Sequence, residues 1–157
     1  ELDVWTRLKH ERILPLLGWA IHDVGYALVS PYFPNRDIQT YMEGRTVSLN
    51  QKLKWMFEIA EGMQYMHAKK CVFVDVKPSN AILKDDLSVM LCDFGVSIAL
   101  DGRESGTVVK PPSKDKDKGR EGFYGTIQYF APERFRNIQP NFFTDVYSFG
   151  VTCFEIL

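Results

Sequence analysis

The feature that most constrains the fold of this chain is a group of polar residues set between short apolar runs. Asp75, Lys77 and Asn80 follow the apolar run at 71–74 and precede the apolar residues 81–83. A second acid, Asp93, comes directly after another apolar run. Apolar runs this short indicate buried strands, so the polar side chains should lie on loops held by a rigid frame. The two acids and the asparagine supply hard oxygen ligands, which also predicts a site for a divalent cation.

Composition and charge exclude several other classes of protein. The 157 residues carry 19 Lys plus Arg against 20 Asp plus Glu, so the charge gives no reason to expect a nucleic-acid partner. No apolar run reaches the roughly 20 residues needed to span a bilayer, and the chain starts without a signal-peptide pattern. The cysteines lie in apolar runs without metal-ligand spacing, which predicts reduced, buried thiols in a cytoplasmic protein; they are Cys71, Cys92 and Cys153.

Periodicity predicts several elements of secondary structure. A helix is expected at 1–9, extended segments at 13–20 and 26–29, and a hairpin turn at 23–25. The S-L-N-Q pattern at 48–51 predicts a capping box that opens a long helix. The apolar face of that helix is predicted from residues at three- and four-residue intervals: Leu49, Leu53, Met56, Phe57, Ala60 and Met63. His67, at its end, is predicted to be a packed or capping residue.

Four motifs follow one another along the chain. They are D-V-K-P-S-N at 75–80, D-F-G at 93–95, G-T-I-Q-Y-F-A-P-E at 125–133 and D-V-Y-S-F-G at 145–150. In this order they resemble the catalytic domain of the eukaryotic protein kinases. The tract W-M-F-E-I-A-E-G-M-Q-Y-M-H at 55–67 resembles the tyrosine-kinase-like group, whose members mostly phosphorylate Ser and Thr.

The resemblance implies an α+β, protein-kinase-like fold of which this chain holds a part. The part would run from the end of the family's C helix, through its fourth and fifth strands and the hinge, to the F helix of the mainly helical C-lobe. Residues 1–30 would be residual N-lobe, 31–35 the hinge and 36–157 the C-lobe. The activation segment would occupy 93–133, with a flexible insert at about 102–122, where the composition turns polar. We expect a fragment of a longer protein, without the phosphate loop and the ATP-binding lysine, and therefore poorly soluble and inactive alone.

The resemblance also implies a set of residues for phosphoryl transfer from ATP. Asp75 would orient the acceptor hydroxyl and take its proton, Lys77 would contact the γ-phosphate, and Thr126 would hydrogen-bond toward both. Asn80 and Asp93 would hold the Mg²⁺ ions that bridge the phosphates. A lysine two residues after the catalytic Asp is typical of serine/threonine kinases.

Five further residues would bind the nucleotide, again by resemblance. Pro31 and Phe33 would bind the adenine edge through backbone groups, with Ser30 as a small gatekeeper. Ile82 would pack under the adenine ring. Glu1 would pair with the ATP-binding lysine, and the alternative is that it is an exposed charge on a frayed terminus.

Two departures from the family pattern leave an alternative open. Val74 stands where the family has an arginine that pairs with a phosphorylated activation loop, and Phe73 replaces a histidine. We expect the Phe73 ring to pack with Phe94, Trp5 and Leu16. The favoured function is that of a serine/threonine protein kinase acting on a protein substrate inside the cell, either as a cytoplasmic protein or as the cytoplasmic part of a larger protein. The alternative is a pseudokinase that acts as a scaffold or allosteric binding module.

Overall fold

The computed structural model describes residues 2–22, 25–100, 125–136 and 138–157. Glu1, the predicted insert at about 102–122 and the predicted turn residues Asp23 and Val24 lie outside this part of the chain. Within it there are four α-helices: α1 (Leu2–Trp5), α2 (Ile38–Met42), α3 (Leu49–Ala68) and α4 (Phe142–Ile156). The strands are β1 (Gly18–His22), β2 (Gly25–Val29), β3 (Cys71–Val72), β4 (Ala81–Leu83), β5 (Val89–Leu91) and β6 (Ile98–Ala99).

The strands form three antiparallel pairs. The β1–β2 hairpin runs in the register Trp19↔Leu28, which confirms the extended segment predicted at 26–29. The β4–β5 hairpin and the β3–β6 pair flank the polar group of the sequence. Helices and short strand pairs in one chain confirm the predicted α+β class.

The α1 helix is shorter than the predicted helix at 1–9. It ends at Trp5, and hydrogen bonds of the 3-10 type follow it. Arg7 N–H donates to Val4 O and Leu8 N–H donates to Trp5 O, each three residues back. Trp5 is also fixed by its indole N–H, which donates to Leu14 O at 2.6 Å. The side chain of Trp5 therefore ties α1 to the segment that leads into β1.

The α3 helix begins at its predicted cap, but only half of the capping box is formed. Ser48 Oγ accepts the Gln51 N–H at 3.3 Å. The Gln51 side-chain amide donates to Leu87 O at 3.4 Å, in the turn between β4 and β5, instead of reaching back to Ser48. The cap thus also attaches the helix to that turn.

The predicted apolar face of α3 is only partly confirmed. Met63 is buried and Met56 packs against the core, as predicted. In contrast, Leu49, Leu53 and Phe57 are at least half exposed. The buried face lies around the helix from them and consists of Trp55, Glu58, Ile59, Gly62, Met63 and Met66. The helix has two apolar stripes, and the packing against β5 decides which of them faces the core.

One buried apolar cluster joins most of these elements. It contains side chains from α1, α3, β4, β5 and the end of α4, among them Trp5, Trp55, Leu91 and Ile156. Cys71 is buried, whereas Cys92 and Cys153 are only partly buried. Among the described residues, no helix has both the length and the apolar character needed to cross a bilayer.

Candidate active site

The β4–β5 hairpin brings Asn80 and Asp93 to the same end. Ala81 pairs with Leu91, so Asn80 precedes β4 where Cys92 and Asp93 follow β5. The Cys92 N–H donates to Asn80 O at 3.0 Å and extends the pairing by one step. The two residues predicted to bind metal therefore sit at the open end of one hairpin.

Asp75 is the centre of the predicted catalytic set. Its Oδ1 accepts the Thr126 backbone N–H at 2.7 Å, and its Oδ2 lies 2.7 Å from Lys77 Nζ. Oδ2 also accepts a hydrogen bond from Asn80 Nδ2 at 3.0 Å. A carboxylate has about four acceptor positions, so these three contacts leave room for one more donor, such as an incoming hydroxyl.

Lys77 and Thr126 complete this set. The Lys77 ammonium donates to Thr126 Oγ1 at 2.8 Å as well as to Asp75, and its side chain is 19% exposed. An ammonium has three donors, so one remains for an anionic group. Burial alone would raise the pKa of Asp75, but the hydrogen bonds from Lys77 and Thr126 and the Lys77 charge outweigh it and lower the pKa. Asp75 is therefore ionised at neutral pH.

The donor set at Asn80 and Asp93 fits a magnesium ion. Asn80 Nδ2 donates to the backbone O of Asp75 at 2.9 Å and to Asp75 Oδ2, so Asn80 Oδ1 is available as a metal ligand. Asp93 is exposed, with its carboxylate near the Gly95 N–H. Within the described residues no group of three or more His, Cys, Asp or Glu side chains could hold a metal. Magnesium is commonly bound by one or two protein ligands together with substrate phosphates, which is the arrangement available here.

Asp145 holds the predicted catalytic loop, residues 73–80, in place, a role that the sequence reasoning missed. It is only 1% exposed, and its two oxygens accept the backbone N–H groups of Phe73 and Val74, each at 2.8 Å. His67 Nε2 lies 2.8 Å from Asp145 Oδ2, which agrees with the prediction of a packed rather than catalytic histidine. The signal was present, because Asp145 opens the motif at 145–150.

The loop that Asp145 holds contains a strained residue. Val74 has a φ of 75°, in the left-handed region that a β-branched residue rarely adopts. Its side chain is 7% exposed and packs with Val72 and Ile98. Such strain persists only where the surroundings hold the backbone, and the Asp145 carboxylate provides that restraint directly before Asp75.

Gly125 brings the segment with Thr126 close to the same loop. Its φ is +96°, and a Cβ placed there would lie 3.1 Å from Val74 O and 3.4 Å from Asp75 Oδ1. Both the backbone conformation and the short distance to the loop favour glycine. Gly125 thus allows the Thr126 N–H to reach Asp75.

Three aromatic rings connect the site to the α1 helix. The Phe94 ring lies 5.7 Å from the Phe73 ring and 5.7 Å from the Trp5 ring. Phe73 and Phe94 are fully buried, and Leu16 packs against the same cluster. The expected packing of Phe73 with Phe94 is confirmed. The substitution for histidine therefore leaves an apolar column in place.

The residues predicted to bind nucleotide fall within the described part of the chain, apart from Glu1. Ser30 and Pro31 are half-buried in the segment after β2. Phe33 packs against the core, and its carbonyl accepts the Arg36 N–H at 3.0 Å. Ile82 lies in β4, half-buried, with a bridge to Asp37. The structure leaves the predicted roles of these residues as predictions.

Arg12 is a further structural residue that the sequence reasoning did not identify. Its guanidinium lies 2.9 Å from Glu61 and 3.3 Å from Glu58, both on α3. Glu58 is 3% exposed and also accepts the Val89 N–H at 2.8 Å. The segment before β1 is therefore attached to α3 and β5 together.

These features define a class of protein. A carboxylate held by a lysine and a backbone N–H, beside an asparagine and a second acid at a hairpin end, suits a phosphotransferase that works by positioning and charge. Over residues 1–157 the chain matches the family model described as protein tyrosine and serine/threonine kinase. The chain therefore belongs to the protein tyrosine and serine/threonine kinase family.

Individual relatives agree with this assignment. The chain is 31% identical to the mitogen-activated protein kinase kinase kinase dlk-1 of Caenorhabditis briggsae, over 100% of this chain and 17% of that protein. It is 31% identical to the lectin-domain containing receptor kinase VI.3 of Arabidopsis thaliana, over 100% and 22%. It is 30% identical to the human receptor-interacting serine/threonine-protein kinase 1, over 99% and 24%. The chain thus spans about a quarter or less of the length of these relatives.

Proposed function

We propose that the protein containing this chain transfers the γ-phosphate of ATP to serine and threonine hydroxyls of a protein substrate. The observation that carries the proposal is the contact set in which Asp75 binds Lys77 and the Thr126 N–H while one acceptor position stays open. A set of this kind suits an acceptor hydroxyl at Asp75 and an anionic group at Lys77. Membership in the kinase family supports the same reaction.

In the proposed reaction the acceptor hydroxyl oxygen forms a bond to the γ-phosphorus as the bond to the oxygen retained by ADP breaks. Asp75 orients the hydroxyl and receives its proton, and the remaining N–H of Lys77 stabilises charge on the transferred group. Asn80 Oδ1 and Asp93 would hold magnesium, which neutralises phosphate charge when bound. Thr126 holds the side chains of Asp75 and Lys77 in position through its hydrogen bonds to both.

The nucleotide would lie against the segment after β2. We propose that Pro31 offers its carbonyl and Phe33 its N–H and carbonyl to the adenine edge, and that Ile82 packs under the ring. Ser30 would leave space behind the adenine. Glu1 would pair with a lysine of the full-length protein.

Serine and threonine are proposed as acceptors on the spacing of the catalytic loop. Lys77 follows Asp75 by two residues, as in serine/threonine kinases, and the tract at 55–67 resembles the tyrosine-kinase-like group. We also propose an intracellular location, since cysteines set in apolar runs without metal-ligand spacing suit a reducing compartment that supplies ATP. The fragment alone is expected to be inactive.

The second candidate is a pseudokinase scaffold, which Phe73 and Val74 favour because they replace the family's histidine and arginine. The retained set at Asp75, Lys77, Asn80 and Asp93 supports an enzyme, since a scaffold has no need of all four. The two candidates make opposite predictions for catalysis.

The test is phosphorylation of a generic protein substrate by the full-length protein with magnesium and ATP. We expect Asp75→Asn to lower kcat/KM by about a hundredfold or more, as for loss of a general base. Asp85→Asn, which removes an exposed acid from the β4–β5 turn, should change nothing. Phosphoamino-acid analysis should give phosphoserine and phosphothreonine. Equal signals from the wild type and Asp75→Asn would reject the enzyme and favour the scaffold.

A further inference from the structure

A very short strand pair joins the segment after the D-F-G motif to the catalytic loop. Its two strands, β3 and β6, contain two residues each, and the pair ends at Val72↔Ile98. The position that would follow in this antiparallel register is Phe73 opposite Ser97. Both residues lie at the edge of the candidate site, so the contact between them decides how firmly the two segments are joined there.

The side chain of Ser97 makes the connection at that position. Its hydroxyl donates to Phe73 O at 2.9 Å, across 24 positions of the chain. The Ser97 N–H donates to Phe94 O at 3.1 Å and closes a turn, which we call the D-F-G turn (residues 93–97). Ser97 thus bonds the catalytic loop through its side chain and the D-F-G turn through its backbone.

Phe73 is a fixed partner for this bond. Its N–H donates to Asp145 Oδ2 at 2.8 Å, and its fully buried ring lies 5.7 Å from the Phe94 ring. The carbonyl that accepts the Ser97 hydroxyl is therefore held by α4. Movement of the D-F-G turn away from the catalytic loop would withdraw the donor from the carbonyl of a buried residue, which costs free energy.

Asp93 depends on the D-F-G turn for its position. Its φ is 60°, in the left-handed region that is uncommon for residues other than glycine. Its Oδ1 lies 3.4 Å from the Gly95 N–H, which is longer than most hydrogen bonds of this kind. That contact lies within the turn and does not attach the turn to the rest of the protein. The Ser97 hydroxyl and the Phe94 ring do so.

We propose that Ser97 is a positioning residue, whose hydroxyl holds the D-F-G turn on the catalytic loop and so keeps Asp93 at the hairpin end that also carries Asn80. The proposal rests on the proposed function, because it takes Asp93 as a ligand of the magnesium that accompanies ATP. Alanine in place of Ser97 would lack the donor, whereas threonine would retain it. The N–H of residue 97 is present in both variants, so the two substitutions test the hydroxyl alone.

The test is steady-state phosphorylation of a generic protein substrate by the full-length protein with magnesium and ATP. We expect Ser97→Ala to raise the KM for magnesium–ATP about fivefold, the size of one neutral hydrogen bond. The KM for the protein substrate should stay unchanged, and Ser97→Thr should restore the wild-type value for magnesium–ATP. The matched control is Ser88→Ala, which removes a hydroxyl bonded to Asp86 in the β4–β5 turn and should change neither constant.

Three outcomes of these measurements overturn the proposal. The first is an unchanged KM for magnesium–ATP in Ser97→Ala. The second is an equal rise in both KM values, which would indicate a general loss of structure. The third is a Ser97→Thr variant as impaired as Ser97→Ala, which would show that the hydroxyl is not the group that matters.

Nucleotide binding distinguishes this proposal from the proposed function. Titration calorimetry of the full-length protein with ATP should give a Kd about fivefold higher for Ser97→Ala than for the wild type in magnesium. With EDTA in place of magnesium, the two proteins should bind ATP equally. If no substrate is phosphorylated but this difference is found, the proposed reaction fails and the role of Ser97 stands. Equal binding in magnesium overturns that role.

Discussion

At the residue scale, the ionisation of Asp75 links the stability of the protein to pH. The contacts from Lys77 and Thr126 hold the pKa of Asp75 below its ordinary value of 3.8, although burial alone would raise it. The unfolded chain therefore binds this proton more tightly than the folded protein does. The stabilisation from these contacts is fully present above the unfolded pKa and is lost as the pH falls through the lower, folded pKa.

This linkage predicts how Asp75→Asn changes the pH dependence of unfolding. The difference in free energy of unfolding between wild type and variant should be constant from neutral pH to about pH 5, and should move in favour of the variant below about pH 4. Urea unfolding curves at a series of pH values measure it. A difference that already changes between pH 7 and 5 would show that another group carries the effect.

Because Val74 is apolar, we expect that activity does not depend on phosphorylation of the segment between Asp93 and Glu133. Its side chain packs in a small apolar cluster, and a branched apolar chain cannot make a charge-assisted hydrogen bond to phosphate. We expect phosphatase treatment to leave kcat/KM unchanged. A Ser105→Ala/Thr107→Ala variant should match the wild type. A large loss of activity in either experiment would contradict the prediction.

The residue scale also shows where sequence reasoning succeeds. The contacts among Asp75, Lys77 and Thr126 follow from motifs whose order along the chain is specific. The role of Arg12 does not, because no motif contains it, and the motif that Asp145 opens does not tell which backbone groups its carboxylate binds. Asp145, for example, bonds Val74 across 71 positions.

At the scale of elements, the close packing of α3 on β5 depends on Gly62. A Cβ at Gly62 would lie 2.8 Å from Leu91 Cδ1 and 3.2 Å from Arg12 O. Leu91 is 1% exposed, and Arg12 O is a backbone atom that pairs with Leu91 N–H, so neither can move freely. Because Gly62 has no side chain, α3, the β4–β5 hairpin and the segment before β1 can pack closely together.

Two glycine-to-alanine changes should therefore have opposite signs. Gly62→Ala should destabilise the protein, because overpacking costs about 1–3 kcal/mol. The higher helix propensity of alanine offsets at most about 1 kcal/mol of that cost. Gly150→Ala is the matched control on α4, where a Cβ meets nothing within 4 Å. It should stabilise by about 0.5–1 kcal/mol.

Chemical denaturation of both variants measures these changes. If Gly62→Ala were as stable as Gly150→Ala, the close contact with Leu91 and Arg12 would not constrain the packing.

The face that α3 buries illustrates what periodicity leaves undecided. Helical spacing fits the exposed stripe with Leu49, Leu53 and Phe57 as well as the buried stripe with Trp55 and Ile59. Glu58 lies on the buried face, which argues against that face on polarity alone. Its burial is possible because Arg12 and the Val89 N–H satisfy its carboxylate.

At the scale of the whole molecule, the aromatic column and Asp145 connect both ends of the described chain to the catalytic loop. Trp5 reaches the loop through Phe94 and Phe73, and α4 reaches it through the carboxylate that binds the Phe73 N–H. Phe73 belongs to both connections. Loss of the Phe73 ring should therefore lower the free energy of unfolding of the protein.

A graded series at Phe73 tests this. Phe73→Ala should cost about 3–5 kcal/mol, as for other buried aromatic residues, and Phe73→Leu less, because it leaves a smaller cavity. Both variants keep the backbone N–H that Asp145 binds. Thermal or urea unfolding measures the order. Equal losses for Leu and Ala would show that ring contact, rather than filled volume, determines stability here.

The contact between Trp5 and Phe94 gives the protein an internal optical reporter. The Trp5 indole is 6% exposed and adjoins the ring that follows Asp93, while Trp55 is fully buried against other residues and Trp19 is 60% exposed. If Phe94 leaves the column, water reaches Trp5 and its fluorescence emission should move to longer wavelength. With Trp19→Phe to remove the solvent-exposed background, the movement of this segment could be followed by emission, without an attached dye.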